Sequence, residues 1–281
     1  MNNFEIYKLR SAGLKNNQIL KVLDYQKQYG KKLTIRNMAV ISECKHPILF
    51  MEAYKSLDLK ELRREFMLYP SLSILDKEYP QALRQIFNPP VLLFYQGNIA
   101  LLEKPKLAVI GSRKATEQGI ESVRTIINQL QNKFLIVSGL ARGIDTAAHL
   151  SILKNGGSTI AVIGCGFNYY YPKENKKLQT FIAKNHLLIS EYGPEEKPLS
   201  YHFPERNRII AGLSLGVLVA EAKYRSGSLI TCNIALEEGR DVFAIPSNII
   251  DGNSDGCHQL IKEGAKCITS GLDILMEYQN I

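Results

Sequence analysis

From residue 106 onward the chain repeats one pattern, and that pattern constrains the fold more than any other feature. A short apolar run ends in a loop bearing glycine, serine or arginine, and a helical stretch follows. Leu107 to Ile110 ends in Gly111-Ser112-Arg113 and leads into a helix running to about Leu130. Phe134 to Val137 ends in Ser138-Gly139-Leu140-Ala141-Arg142-Gly143, with a helix to about Lys154. Thr159 to Ile163 ends in Gly164-Cys165-Gly166, and Leu187 to Ile189 ends in Ser190-Glu191. Leu215 to Ala220 and Val242 to Ile245 complete the series. Runs that are apolar throughout suit strands covered on both faces. Strands separated by helices of this length require right-handed crossovers and a parallel sheet. The expected fold class is therefore α/β, a doubly wound parallel sheet.

Residues 1–68 read differently, as short helices joined by polar turns. Ile19, Leu20, Val22 and Leu23 fall at helical spacing, and Pro47 suits a helix start ahead of Ile48, Leu49, Met51 and Tyr54. This part is expected to be a small all-α domain, followed by an α/β domain over 69–281. The proline-rich connector between them contains Val91-Leu92-Leu93-Phe94-Tyr95 ahead of Gly97-Asn98, which reads as a strand and turn at the edge of the second domain.

The formal net charge of +8 favours polyanionic partners without requiring one. The excess lies before residue 106, where 16 Lys and Arg face 10 Asp and Glu; residues 106–281 carry 19 against 17. A basic surface in the first part is read either as a solvated helical face or as a DNA-binding one. The five cysteines (44, 165, 232, 257 and 267) form no CxxC pair and no zinc-ligand spacing, so no metal is expected. An odd count of cysteines, a charged N-terminus and the lack of a long apolar run lead to the expectation of a cytoplasmic protein without a membrane partner.

Function is sought at the strand ends, where an open parallel sheet binds its ligands. Arg113, Lys114, Arg142, Lys173, Arg206, Arg208 and Arg225 all fall in or near those loops, with Asn207 between two of them. Lys114 taken singly reads as a chance surface residue. Gly111, Gly139, Gly143, Gly164, Gly166 and Gly227 permit tight turns that leave amides open to phosphate oxygens. Ser112, Ser226 and Ser228 add hydroxyls, the last two at a helix start. Phe167, Tyr169, Tyr170, Tyr171 and Phe203 lie beside these cations. Basic residues with interleaved aromatics meet the needs of single-stranded nucleic acid, in which phosphates seek cations and bases seek stacking surfaces. GxGxxG is missing and so is GxxxxGK[ST], so neither a dinucleotide enzyme nor a P-loop nucleotidase is expected, and no cofactor is expected. Asp145, His149, Glu191, His202 and Glu221 could be assembled into an acid/base set, but no catalytic spacing supports it; Asp145 is explained by its place at a helix start.

The motifs GSR (111–113), VSGLARGIDTAAH (137–149), YPKEN (171–175), SEYGP (190–194), FPERNRIIAGLS (203–214), AEAKYRSGSLIT (220–231) and EEGRDVFAIP (237–246) occur in this order. Together they closely resemble the bacterial DNA-processing family called DprA or Smf, over about 70–270. The resemblance implies an extended Rossmann-like fold that binds single-stranded DNA in natural transformation and loads the recombinase RecA, without catalysis. It also implies an N-terminal SAM-like helical domain. Arg113 and Lys173 match family positions on the DNA backbone, and Phe203 matches an aromatic that stacks on a base. Some members carry a lysine where this chain has Ser200, with Lys197 nearby. The family further implies a homodimer through the C-terminal part, for which Cys257, His258, Leu260, Ile261 and Ile268 are the candidates; core packing explains their spacing equally well.

A second reading is an enzyme acting on nucleotide monophosphates. The fold class and Glu221 somewhat resemble a nucleotide-releasing phosphoribohydrolase family, whose PGGxGT turn would fall at RSGSLIT (225–231). The PGG is missing.

Overall fold

The structure is a computed structural model that describes residues 1–279. Five helices open the chain: α1 (Asn3–Ser11), α2 (Asn16–Tyr29), α3 (Ile35–Ile41), α4 (Pro47–Ser56) and α5 (Leu59–Phe66). Their ends follow from local chemistry. Asn2 and Glu5 bond each other's backbone in a capping box, Thr34 and Asp58 cap α3 and α5, and α4 begins at Pro47. α2 stops at Gly30, which takes the left-handed conformation (φ 64°) that costs other residues a Cβ clash.

Two strands and a short helix follow: β1 (Ser71–Ser73), α6 (Gln81–Arg84) and β2 (Leu92–Gly97). Then the alternation begins with β3 (Lys106–Ile110), α7 (Glu117–Gln129), β4 (Leu135–Ser138), α8 (Ile144–Lys154), β5 (Thr159–Ile163), α9 (Lys176–Asn185) and β6 (Leu187–Ser190). It continues through α10 (His202–Leu213), β7 (Gly216–Val219), α11 (Gly227–Glu237), β8 (Asp241–Ala244), α12 (Asp255–Lys262), β9 (Lys266–Cys267) and α13 (Gly271–Glu277). The nine strands form one sheet in the order β1-β2-β6-β5-β4-β3-β7-β8-β9. All neighbours from β6 to β9 pair in parallel, whereas β1 and β2 add an antiparallel margin beside β6. The expected doubly wound α/β sheet is present. Its strands start and stop within a residue or two of their expected limits. β1 and β9, at three and two residues, are too short to show any periodicity.

From β3 the chain steps outward to β4, β5 and β6, then crosses back to lay β7 beside β3 before stepping the other way. α7, α8 and α13 pack on one face of the sheet around Val109, Ile136 and Leu218. α9 to α12 pack on the other around Ala108, Val137 and Val217. The loops after β3 and β7 therefore part toward opposite layers and leave a crevice between them, the topological switch point.

The N-terminal helices share the second of these cores. Tyr7 and Phe66 meet Phe94 of β2 edge-on, with ring centroids 5.3 and 5.9 Å apart. A buried charge cluster reinforces the contact. Glu191, after β6, accepts from Arg208 of α10 at 2.7 and 2.8 Å and from Asn16 of α2 at 2.6 Å, with Arg10 of α1 at 4.0 Å. Burial pushes the Glu191 carboxyl up, but Arg208 and Arg10 outweigh it and hold the group below the usual carboxylate range. Arg208 is thus engaged with Glu191 beyond the end of β6 and lines no part of the switch-point cleft, contrary to its expected role at phosphate: a guanidinium so enclosed is already neutralised.

The fold also corrects the expected dimer contact. Cys257, Leu260 and Ile268 are buried, the first two in the α9–α12 layer and the third in the α7–α8 layer. They belong to the monomer's own core. Of the five candidates only His258 and Ile261 are partly exposed.

Truncating Arg208 leaves a buried carboxylate short of a partner, which costs about 3 kcal/mol; Arg208→Ala should lower stability by that order in urea unfolding. The wild-type protein should also lose stability in acid. The Glu191 value is depressed on folding, so its contribution is intact above the unfolded value of about 4.3 and fades as pH falls through the folded one. Circular dichroism from pH 6 downward, with Glu191→Gln as reference, checks the sign.

Candidate nucleic-acid interface

The turn after β3 is held at both ends. The Ser112 amide donates to the Glu221 carbonyl at 2.7 Å, and the Ile144 amide donates to the Ser112 carbonyl at 3.1 Å. Glu221 itself is buried after β7, where its carboxylate accepts from the amide (3.0 Å) and hydroxyl (2.6 Å) of Thr116. The same hydroxyl caps α7 through the Gly119 amide. Gly111 has no room for a side chain: a Cβ there would approach Ile144 to 2.6 Å and the Glu221 carbonyl to 2.8 Å. These bonds fix the direction in which Arg113 leaves the sheet.

Arg113 projects into a cleft of about 840 Å3 at the switch point. Of the expected residues, Gly111, Ser112, Arg113, Phe203, Arg206, Asn207, Ser226, Gly227 and Ser228 line it. Arg113 is exposed, and its guanidinium lies 5.7 Å from the Phe203 ring centroid. Phe203 in turn meets Tyr171 at 4.9 Å, so two partly open rings border the mouth. At the opposite wall α11 begins. The Ser226 side chain makes no capping bond, and nothing crowds Gly227, so the Gly227 and Ser228 amides are open while that of Leu229 donates to the Ser226 carbonyl at 3.1 Å.

Arg206 has a different part from that of Arg113. It is buried, donates to the Val162 carbonyl, and fits only because Gly139 has no Cβ to collide with its guanidinium. Burial lowers its affinity for a proton, and the Asp145 carboxylate partly restores it. Asp145 is likewise buried; burial pushes its carboxyl up against the pull of Arg206 and the Gly139 and Ala141 amides, which donate at 3.1 and 3.3 Å. Arg206 is the floor of the cleft, and Gly139 supports it from outside.

Arg142 and Lys173 do not line this cleft; Arg142 lines a separate cavity between α7 and α8. Arg142 pairs with Glu174, and Asn175 ties the two loops through 2.9 and 2.8 Å bonds to the Leu140 carbonyl and the Thr146 hydroxyl. Lys173 is exposed beside that pair, while Lys197 and Ser200 are exposed on the loop before α10 and line no part of the cleft. Lys114, Lys223 and Asn253 do line it. Lys114 had the appearance of a chance surface residue because strand-end position alone does not say which side chains turn inward. Asn253 lies in a loop far along the sequence and carries no motif signal.

The acid/base set is scattered. Glu221 serves Thr116, Glu191 serves Arg208, His149 bonds Thr159 at 2.7 Å, and the His202 ring lies 3.2 Å from the Gly164 carbonyl. No cluster of three His, Cys, Asp or Glu side chains that could hold a metal exists among the described residues.

The fold and cleft define a doubly wound α/β protein whose switch-point cleft is lined by Arg113, Lys114, Lys223 and Phe203. The chain belongs to the DNA recombination-mediator protein A family, known as DprA or Smf. Residues 71–279 match that family and residues 1–62 match the DNA processing protein A sterile alpha motif domain. DNA processing protein DprA of Streptococcus pneumoniae is 59% identical over 277 residues, covering 99% of this chain and 98% of its own. The crystal structure of the pneumococcal protein superposes with a TM-score of 0.97. DprA of Bacillus subtilis is 46% identical, covering 74% of this chain and 70% of its own. A Helicobacter pylori DprA structure, described for its single-stranded DNA binding mode, superposes with a TM-score of 0.68 at 30% identity; the match covers 75% of this chain and 96% of that one.

If Arg113 meets phosphate, Arg113→Ala should flatten the salt dependence of oligonucleotide binding by about 0.7 in log–log slope. The melting temperature should stay unchanged, since no buried bond is lost. Lys223→Ala should do the same.

Proposed function

We propose that the chain binds single-stranded DNA in the switch-point cleft and on its rim, as a non-catalytic recombination mediator. The observation that carries this reading is the conjunction at one cleft of exposed cations, open helix amides and the Phe203 ring, which Tyr171 meets from outside. Arg113, Lys114 and Lys223 are exposed there, and the Asp145 carboxylate faces buried Arg206. Phosphates take the cations and the α11 amides; a base takes the Phe203–Tyr171 surface, worth roughly 1–3 kcal/mol. Arg142 and Lys173 extend the track beyond the cleft. Family membership supports the wider role, in which the protein protects incoming DNA during natural transformation and loads the RecA recombinase onto it in the cytoplasm. No helix among the described residues is long and apolar enough to cross a membrane.

A homodimer belongs to the same proposal, since two clefts on one assembly gain avidity for a strand that reaches both. With Cys257, Leu260 and Ile268 in the core, the contact is assigned to the surface around His258 and Ile261. The enzymatic alternative loses its main residue, because Glu221 is engaged in fixing α7 rather than open in the cleft.

Titration of labelled oligonucleotides by anisotropy should give tighter binding to single strands than to duplex, with affinity falling as salt rises. Equal affinity for duplex, or release of base or phosphate from nucleotide monophosphates, contradicts the reading. Ile261→Glu should yield monomer in light scattering with native circular dichroism; a persistent dimer rejects that surface.

A further inference from the structure

The N-terminal helical domain touches none of the cleft, yet a continuous series of contacts joins it to Phe203. Arg10 of α1 places its guanidinium 5.4 Å from the Tyr192 ring centroid, and one of its buried nitrogens, Nη1, has no hydrogen-bond partner. Tyr192 is buried and lies flat on the His202 ring, centroids 3.8 Å apart and planes 22° from parallel. Its hydroxyl lies 3.2 Å from the His202 carbonyl and 3.1 Å from the Glu205 carboxylate, so both ring and hydroxyl grip the first turn of α10. His202 is buried too, with Nδ1 at the Gly164 carbonyl. Phe203 is the next residue, and its ring rests over Gly164, where a Cβ would come within 3.1 Å. The start of α10 has no side-chain cap of its own, so these contacts hold its first turn, while Arg206 and Arg208 anchor the helix further along.

We propose that the N-terminal domain positions the DNA-stacking ring: Arg10 clamps Tyr192, Tyr192 fixes His202, and His202 sets the angle at which Phe203 meets the strand. Arg10 and Tyr192 are positioning residues, since neither lines the cleft. A ring held at one angle loses less freedom when a base stacks on it, and the affinity gained is this difference. The proposal rests on the reading of Phe203 as a stacking residue.

The chain has no tryptophan and the test uses the full-length protein, so Phe203→Trp supplies a single fluorescent reporter at the site. Arg10→Met keeps the length of the side chain while removing the guanidinium, and Glu191 retains Arg208 and Asn16. Arg10→Met should weaken binding of a labelled oligonucleotide on the order of 5-fold, with the salt slope unchanged because no phosphate contact is lost. The same substitution should have no effect in a Phe203→Ala background, yet keep its full effect in an Arg113→Ala background. Tyr192→Phe, which removes only the hydroxyl, should show the same dependence on Phe203 and serves should Arg10→Met fail to fold. In Phe203→Trp protein, either change should lower the emission anisotropy of the indole. An effect that adds independently to Phe203→Ala, or no effect at all, overturns the relay while leaving the stacking role standing. A neutral Phe203→Ala overturns both.

Discussion

One buried carboxylate holds the strand-end edge together. Glu221 follows β7 directly, and a charge so enclosed is costly unless hydrogen bonds satisfy it. Thr116 satisfies it, and in doing so anchors the start of α7 to the end of β7. The Glu221 carbonyl meanwhile receives the Ser112 amide, which ties the turn after β3 to the same point. The two loops that part at the switch point are therefore cross-linked at their roots, and only their outer residues are left to meet a ligand. Arg113, Lys223 and the α11 amides owe their convergence to that arrangement.

Charge is partitioned along similar lines. Buried cations are matched within the fold: Arg206 faces the Val162 carbonyl and Asp145, and Arg208 faces Glu191. Exposed cations at the edge have fewer partners, Arg142 with Glu174 being the exception. A domain with nearly equal numbers of acidic and basic residues can thus present one basic margin. On the proposed reading, such a margin would attract a polyanion through counterion release, and the aromatic pair would distinguish unstacked bases from duplex.

Most of the scaffold was legible because strand-end glycines and apolar runs depend only on local sequence. What escaped depended on the direction of side chains. Arg206 and Arg208 are two residues apart on α10, hence about 200° apart around its axis. They could not both face one cleft, and helical geometry alone would have shown this. Cys257, Leu260 and Ile268 follow a spacing that a monomer core and a dimer contact share equally, so periodicity could not separate the two. Asn253 reaches the cleft by way of a loop, and no pattern in the sequence marks it.

The central claim is that the nucleic acid lies between the Arg113 turn and the start of α10. Photo-crosslinking of an iodouracil-containing single strand, followed by peptide mapping, tests it most directly. The account predicts adducts on Phe203 or Tyr171, suppressed by excess unlabelled single strand. Adducts confined to residues 1–68, or to the surface around Ile261, would contradict it.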